Sequence, residues 1–228
     1  MDRDRLLAAC SSLDLKIQLV QLDQLDQFES ELYKANEVMN LTRVPRDECW
    51  LRHFVDSLLF QDLFPEGSSV LDIGTGPGFP AWPLACARPD LQVTAIDGSS
   101  KMIGFLELIP LPNLKTLQVR AEDWKMRDRF GVVTGRAITP LTIQLELSAP
   151  PCKVGGLVLP MRTPAERPLV EADFSTIGLR LEDVYERALP GTDVVRLMPA
   201  YRKVTATPPR VPRSWAEMKR NPPLGLTS

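Results

Sequence analysis

The sequence predicts an α/β fold: a mostly parallel sheet with helices on both faces, preceded by a helical extension. Three observations carry that expectation. Residues 1–66 show helical periodicity and no strand-like run. From residue 68 onward, short apolar runs alternate with helical patterns, as a parallel sheet built from βαβ units requires. The first of those runs, Val70-Leu71-Asp72-Ile73, breaks straight into a turn with glycines at 74, 76 and 78, followed by Pro80 and Pro83. Proline is tolerated in a first helical turn, where its missing N–H would have no partner. Strand, glycine turn and helix N-terminus in that order present backbone N–H groups to a polar ligand.

Taken in order, residues 14–35 place Leu15, Leu19, Leu22, Leu25, Phe28 and Leu32 largely at i, i+3, i+4 and i+7, the pattern of an amphipathic helix. The stretch from Asn36 to Asn40 interrupts it, and Asn40-Leu41-Thr42-Arg43-Val44-Pro45 reads as a turn. Pro45 with Asp47 and Glu48 opens a second helix, which carries Trp50, Leu51, Phe54, Val55, Leu58 and Leu59 to about residue 65. Strands are expected at 69–73, 92–97, 114–119, 130–135 and 155–161, with helices at 79–88, 100–109, 140–149 and 164–176 between them. Two further strands, from 178–188 and 193–205, complete the sheet. Prolines at 208, 209, 212, 222 and 223 predict an extended tail without regular structure. The expected organisation is therefore a helical segment (1–66), an α/β domain (67–206) and a basic, proline-rich tail (207–228).

Composition narrows the function classes. A chain of 228 residues with net charge -2 fits one domain of ordinary size and is no general polyanion binder. Positive charge collects instead near the C-terminus, in Arg202, Lys203, Arg210, Arg213, Lys219 and Arg220, where it would meet phosphates or simply solvate the tail. The four cysteines, at 10, 49, 86 and 152, form no C-x-x-C pair and have no flanking histidine, which argues against a zinc site or a disulfide framework and suits a reducing compartment. The charged N-terminus and the lack of an 18-residue apolar run give no export or membrane signal. The expectation is a cytoplasmic monomer with no bound metal.

In doubly wound folds ligands bind beyond the carboxyl ends of the strands, so each strand end is read for polar groups. The first ends at Asp72 and Gly74. The second ends in Asp97, about 20 residues on, where an acid accepts hydrogen bonds from ribose hydroxyls, or else serves as a turn acid. The third is followed by Ala121-Glu122-Asp123-Trp124, a polar edge beside an aromatic that would hold a purine. The fourth ends in Thr134-Gly135-Arg136, an arginine placed over the site. A dinucleotide oxidoreductase wants G-x-G-x-x-G, and Phe79 stands where the last glycine belongs. A sulfonium cofactor has no pyrophosphate to seat, and L-D-I-G-T-G-P-G has the form typical of S-adenosylmethionine-dependent methyltransferases, which implies a Rossmann-like class I sheet.

Asn40-Leu41-Thr42, Arg52-His53-Phe54-x-Asp56-Ser57-Leu58, the glycine segment through Phe79-Pro80, Ala121-Glu122 and Arg136-Ala137-x-x-Pro140 together resemble the RsmG (GidB) family. The resemblance covers roughly residues 14–162. It implies an enzyme that transfers a methyl group from S-adenosylmethionine to N7 of one guanosine in 16S ribosomal RNA, acting on that RNA or on a small-subunit assembly intermediate. Residue by residue it implies cofactor contacts at Gly74, Phe79, Asp97, Ala121, Glu122 and Arg136. It further implies substrate contacts at Asn40, Thr42, Arg52, His53, Asp56, Ser57, Lys101 and Arg162, with Arg136, Arg52 and His53 as positioning or electrostatic groups in catalysis. Taken alone, His53 would be a satisfied helix residue beside Asp56, and Asn40 and Thr42 turn formers. The sequence departs from the family's pattern at Ala81 (usually glycine), Met102 (usually lysine), Arg162-Thr163 (usually Lys-Gly) and in the tail, which lacks a Tyr-Pro-Arg-Arg run but keeps Pro212-Arg213 and Pro223-Leu224.

Guanine N7 carries an in-plane lone pair, so no proton must leave before it attacks. That agrees with the lack of an N-P-P-Y segment after the fourth strand and of a cysteine nucleophile there. Arginine pairs with guanine O6, which either Arg136 or Arg52 would supply. Arg43, Arg46, Lys101, Arg162 and the tail bases are the candidate phosphate contacts. The alternatives are a methyltransferase acting on a small molecule or another RNA, and a module that binds the cofactor without transferring its methyl.

Overall fold

The computed structural model describes residues 1–136 and 138–221. Its sheet has seven strands: β1 (Ser69–Ile73), β2 (Gln92–Asp97), β3 (Leu114–Gln118), β4 (Phe130–Arg136), β5 (Cys152–Met161), β6 (Leu179–Ala188) and β7 (Val195–Lys203), in the spatial order β3-β2-β1-β4-β5-β7-β6. β1 to β5 run parallel, and β7 inserts antiparallel between β5 and β6. The strand order reverses between β1 and β4, which makes the space beyond their carboxyl ends the crevice where such sheets bind ligands. This is the α/β, mostly parallel architecture that the alternating pattern predicts.

Helices α4 (Ala81–Ala87), α5 (Ser100–Glu107) and α6 (Leu141–Ser148) connect the strands. The helical extension consists of α1 (Arg3–Ser12), α2 (Leu19–Met39) and a compound segment. It shares one apolar core with α4, α5 and one sheet face. Phe28 of α2 sits at the centre of that core, fully buried, with its ring 4.5 to 5.8 Å from those of Phe54, Phe79, Trp82 and Phe105. Truncating such a residue to alanine typically costs about 3–5 kcal/mol. The other sheet face packs on α6, α7 (Arg167–Val170) and the C-terminal segment.

Locally, the structure adds one helix to the expected helical segment and corrects four other expectations. The N-terminal residues form α1, capped by the Asp2 carboxylate accepting from the Arg5 N–H. α2 runs through Asn36 to Met39 and stops at Asn40, whose φ of 51° is a left-handed cap. Asparagine tolerates that conformation, so its helix-ending power lay at 40 and not at 36. The segment expected as one helix after Pro45 is a 3-10 turn (Arg46–Glu48), a π-helical turn (Trp50–Val55), α3 (Asp56–Leu58) and a second 3-10 turn (Gln61–Leu63). A π-turn widens the helix by one residue and frequently marks a functional site. The helix expected at 164–176 breaks into 3-10 Pro164–Glu166, α7 and 3-10 Ser175–Ile177, because Pro168 lacks an amide donor and crowds the preceding turn. Finally, the tail carries a helix, α8 (Trp215–Arg220), started by a reciprocal capping box between Ser214 and Glu217. It fits in the proline-free interval between Pro212 and Pro222; Pro223-Leu224 lie outside the described residues.

Candidate active site

Two cavities adjoin the carboxyl ends of β1 and β4. The first, about 540 Å³, is lined by the polar groups of Asp97, Ser99 and Glu122, by Gly74, and by the apolar side chains of Val119, Ala121, Ile138, Leu147 and Trp215. Gly74 has φ +64°, and a Cβ there would lie 2.4 Å from Ile138 Cγ2, so only glycine fits. Asp97 Oδ2 accepts from the Gly76 N–H (2.9 Å) and Oδ1 from the Ser99 N–H (2.8 Å). A carboxylate offers about four lone-pair sites, so Asp97 fixes the glycine turn and keeps acceptor capacity for a diol. An acid beside a glycine turn, in a cavity that also has apolar lining, fits the ribose and adenine of a nucleoside-containing cofactor.

Beneath the turn, Asp72 is fully buried. Its Oδ2 accepts the Ala81 N–H at 3.2 Å, while Oδ1 has no hydrogen-bond partner among the described residues. Burial pushes its carboxyl up from the ordinary 3.8 to about 7. The folded state therefore binds the proton more tightly than the unfolded chain. That contribution to stability is present below about pH 4 and is lost as pH rises through about 7. An Asp72→Asn variant escapes the loss: its melting temperature should gain on that of the unaltered protein between about pH 5 and pH 8. A constant difference across that range would contradict the buried protonated acid.

The second cavity, about 270 Å³, is lined by Val44, Arg52, His53, Asp56, Arg136, Met161, Arg162, Thr163, Glu166 and Arg196. At its centre the buried Asp56 receives Arg136 Nη1 on Oδ2 (2.9 Å) and Arg196 Nε on Oδ1 (2.8 Å). Arg136 also donates to the Arg52 carbonyl (3.2 Å) and lies over the Phe79 ring at 5.3 Å. The same ring stacks face to face on His53, with centroids 4.0 Å apart. Arg136 Nη2 contacts His53 Nδ1 at 3.3 Å. A guanidinium can only donate, so Nδ1 is the acceptor and Nε2 carries the hydrogen, directed at Thr42 Oγ1 2.7 Å away. Burial, with Arg136 and Arg52 nearby, drops His53 from 6.5 to about 3, and it stays neutral at physiological pH.

The residues named from the sequence divide between these places. Gly74, Asp97, Ala121 and Glu122 line the first cavity, whereas Arg136 lines the second. Phe79 lines neither: it is buried, with its N–H on the Thr75 carbonyl, and joins the glycine turn to the helical extension. Arg52 lines the second cavity and pairs with Glu48 at 2.6 Å. Ser57 turns inward, its hydroxyl donating to the His53 carbonyl at 2.6 Å. Asn40 is the α2 cap, and Asn36 Oδ1 accepts the Leu41 and Thr42 N–H groups, which presents Thr42 to His53. Lys101 donates to the Met39 carbonyl at 2.9 Å and ties α5 to the end of α2.

Arg162 borders the second cavity but is buried, donating to the Thr139 carbonyl, Glu166 and Gln144, so it is no surface phosphate contact. Met102 packs against the core. Half of the six C-terminal bases are similarly engaged: Arg202 with Glu182, Lys203 with Asp128, and Arg213 with Glu146. Sequence reasoning missed Arg196 and Trp215. Arg196 lies on the antiparallel strand β7, 140 residues from Asp56, and carries no local motif.

Residues 21–185 match the model of the family described as GidB, rRNA small subunit methyltransferase G. A relative from Lactobacillus delbrueckii subsp. bulgaricus, named Ribosomal RNA small subunit methyltransferase G, is 36% identical over 93% of this chain and 95% of its own. One of the same name from Caldanaerobacter subterraneus subsp. tengcongensis is 29% identical over 96% and 97%. Among solved structures, a SAM dependent methyltransferase from Aquifex aeolicus superposes with a TM-score of 0.54 at 17% identity, covering 75% of this chain and 97% of that one. M. jannaschii TYW2 in complex with AdoMet superposes at 0.52 with 18% identity, covering 65% and 75%. The fold is that of the class I methyltransferases, and the chain belongs to the GidB family of small-subunit rRNA methyltransferases.

Proposed function

We propose that this protein transfers a methyl group from S-adenosylmethionine to N7 of a guanosine in 16S ribosomal RNA, as a monomeric cytoplasmic enzyme that needs no metal, on the free RNA or on a small-subunit assembly intermediate. The cofactor supplies an electrophilic methyl on a sulfonium. Asp97 holds the ribose hydroxyls, Ala121 and Glu122 border the adenine, and Gly74 admits the cofactor close to the main chain. The second cavity takes the guanine, with Arg52, Arg136 and Arg196 presenting donors to it. Thr42 serves by holding His53, and Phe79 by backing His53 and Arg136.

The observation that carries this reading is the state of His53 beside Arg136. Its two ring nitrogens are engaged and it is neutral, and both Asp56 oxygens are held by arginines. Such a site offers fixed donors and little proton-abstracting capacity, which suits a nucleophile that loses no proton. As N7 takes the methyl the purine becomes cationic and the sulfur is left as a neutral thioether; Arg136 would serve by holding O6, so that N7 faces the methyl, and not by answering that charge. Rate acceleration comes chiefly from holding the two reactants in line.

Incubation with labelled S-adenosylmethionine and either ribosomal RNA lacking the modification or a metabolite extract tests the substrate class. Label should enter small-subunit rRNA; label entering only small molecules would overturn the reading. Asp97→Ala should weaken S-adenosylhomocysteine binding on the order of 100-fold by calorimetry, because hydrogen bonds to a charged group are worth about 1.5–3 kcal/mol each. An unchanged affinity would remove Asp97 from the cofactor site.

A further inference from the structure

The apolar lining of the first cavity includes a residue that comes from beyond the sheet. Trp215 opens α8 and lines the cavity together with Val119, Ala121, Ile138 and Leu147. Four contacts fix its position. Immediately before it, Arg213 donates its backbone N–H (2.8 Å), Nε (2.9 Å) and Nη2 (2.6 Å) to the carboxylate of Glu146, a buried acid on α6. Within the helix, Met218 is fully buried in the core on that face of the sheet. One turn on, the Lys219 amine lies 5.3 Å from the indole centroid, a cation–π contact that orients the ring. Upstream, the Arg127 guanidinium gathers the carbonyls of Thr207, Pro208, Pro209 and Val211, holding the approach to α8 against the body of the protein.

An indole lining the same cavity as Asp97 and Gly74 matches one part of a nucleoside ligand, its base. We infer that Trp215 is a cofactor-positioning residue: the C-terminal segment completes the cavity, and the indole packs against the adenine of the bound cofactor. The inference rests on the cofactor reading above and adds to it a binding wall supplied by the tail. It gives the tail a role in holding the methyl donor, where its bases alone had suggested a role toward RNA.

The test uses the full chain, with S-adenosylhomocysteine and adenosine as probes, in calorimetric titrations of the unaltered protein and of W215A, W215L and W215F. Loss of a base–aromatic contact typically weakens binding on the order of tenfold or more. W215A and W215L should therefore lose about tenfold for both probes, and W215F should stay within about threefold. In turnover assays W215L should raise the KM for S-adenosylmethionine and leave kcat within about twofold, as expected for a residue that binds the cofactor away from the reacting atoms. W215L keeps apolar bulk against the core, so its melting temperature separates a lost contact from a lost fold. Full affinity in a folded W215L protein would overturn the inference while leaving the cofactor reading intact. If the unaltered protein bound neither probe, the cofactor reading would fail and the inference with it.

Discussion

Replacing Arg136 by alanine is expected to lower kcat for methyl transfer to rRNA by on the order of 100-fold, the loss typical when a reacting group is left about an ångström out of line. The affinity for S-adenosylhomocysteine should change by less than about threefold, since Arg136 lines the second cavity and not the first. That split decides between the two roles the sequence suggested for this residue, cofactor contact and electrostatic catalyst. Arg136→Lys keeps a charge but loses the planar fork that spans Asp56, the Arg52 carbonyl and His53. It should recover only a small part of the rate. Single-turnover kinetics with saturating cofactor read the effect directly, and an alanine variant with undiminished turnover would remove Arg136 from the mechanism.

Asp56→Ala is expected to have the largest effect on stability among the site variants. Asp56 is 2% exposed and holds two guanidiniums, one on each carboxylate oxygen. Without it Arg136 and Arg196 face each other with no intervening anion. Breaking a fully buried pair in this way costs about 3–5 kcal/mol. The side chains of Arg136 and Arg196 retain 18% and 23% of their exposure, so water recovers part of that cost, and a loss of about 2–3 kcal/mol is the better figure. For a chain of this size it corresponds to roughly 5–10 °C in melting temperature. Activity should fall with it, because Arg136 would lose the anchor that sets it over Phe79. Adding Arg196→Ala to Asp56→Ala should return part of the stability by removing one stranded charge. Additive losses in the double variant would contradict the pairing.

The parts of this architecture that were legible in the sequence are those written in local pattern. The strand, glycine turn and helix sequence from Val70 to Ala87 follows from apolar burial and from the backbone freedom of Gly74, so the turn could be read directly, while its place at the switch point depends on the strand order. Asp97 was readable because the fold places an acid at the end of the second strand. What escaped depends on contacts across the chain. Phe79 looks like a cofactor residue by position, yet its ring is committed to His53, Phe28 and Arg136. Arg162, Arg202, Lys203 and Arg213 look like phosphate contacts by charge, but each finds a partner that sequence distance conceals. The same concealment hid Arg196, and the density of prolines around Trp215 hid α8, whose start is specified by the Ser214–Glu217 capping box.

On the proposed function, the arginine-lined cavity presents guanine N7, and no proton-bearing atom, to the methyl donor. The most direct measurement of this is the position of the transferred methyl. Small-subunit rRNA treated with the protein and S-adenosylmethionine would be reduced with borohydride and cleaved with aniline, a sequence that breaks the chain only at 7-methylguanosine. We expect one new scission, at a single guanosine, absent with Arg136→Ala. Stoichiometric incorporation of label into the RNA with no new scission would place the methyl on another atom and contradict the account.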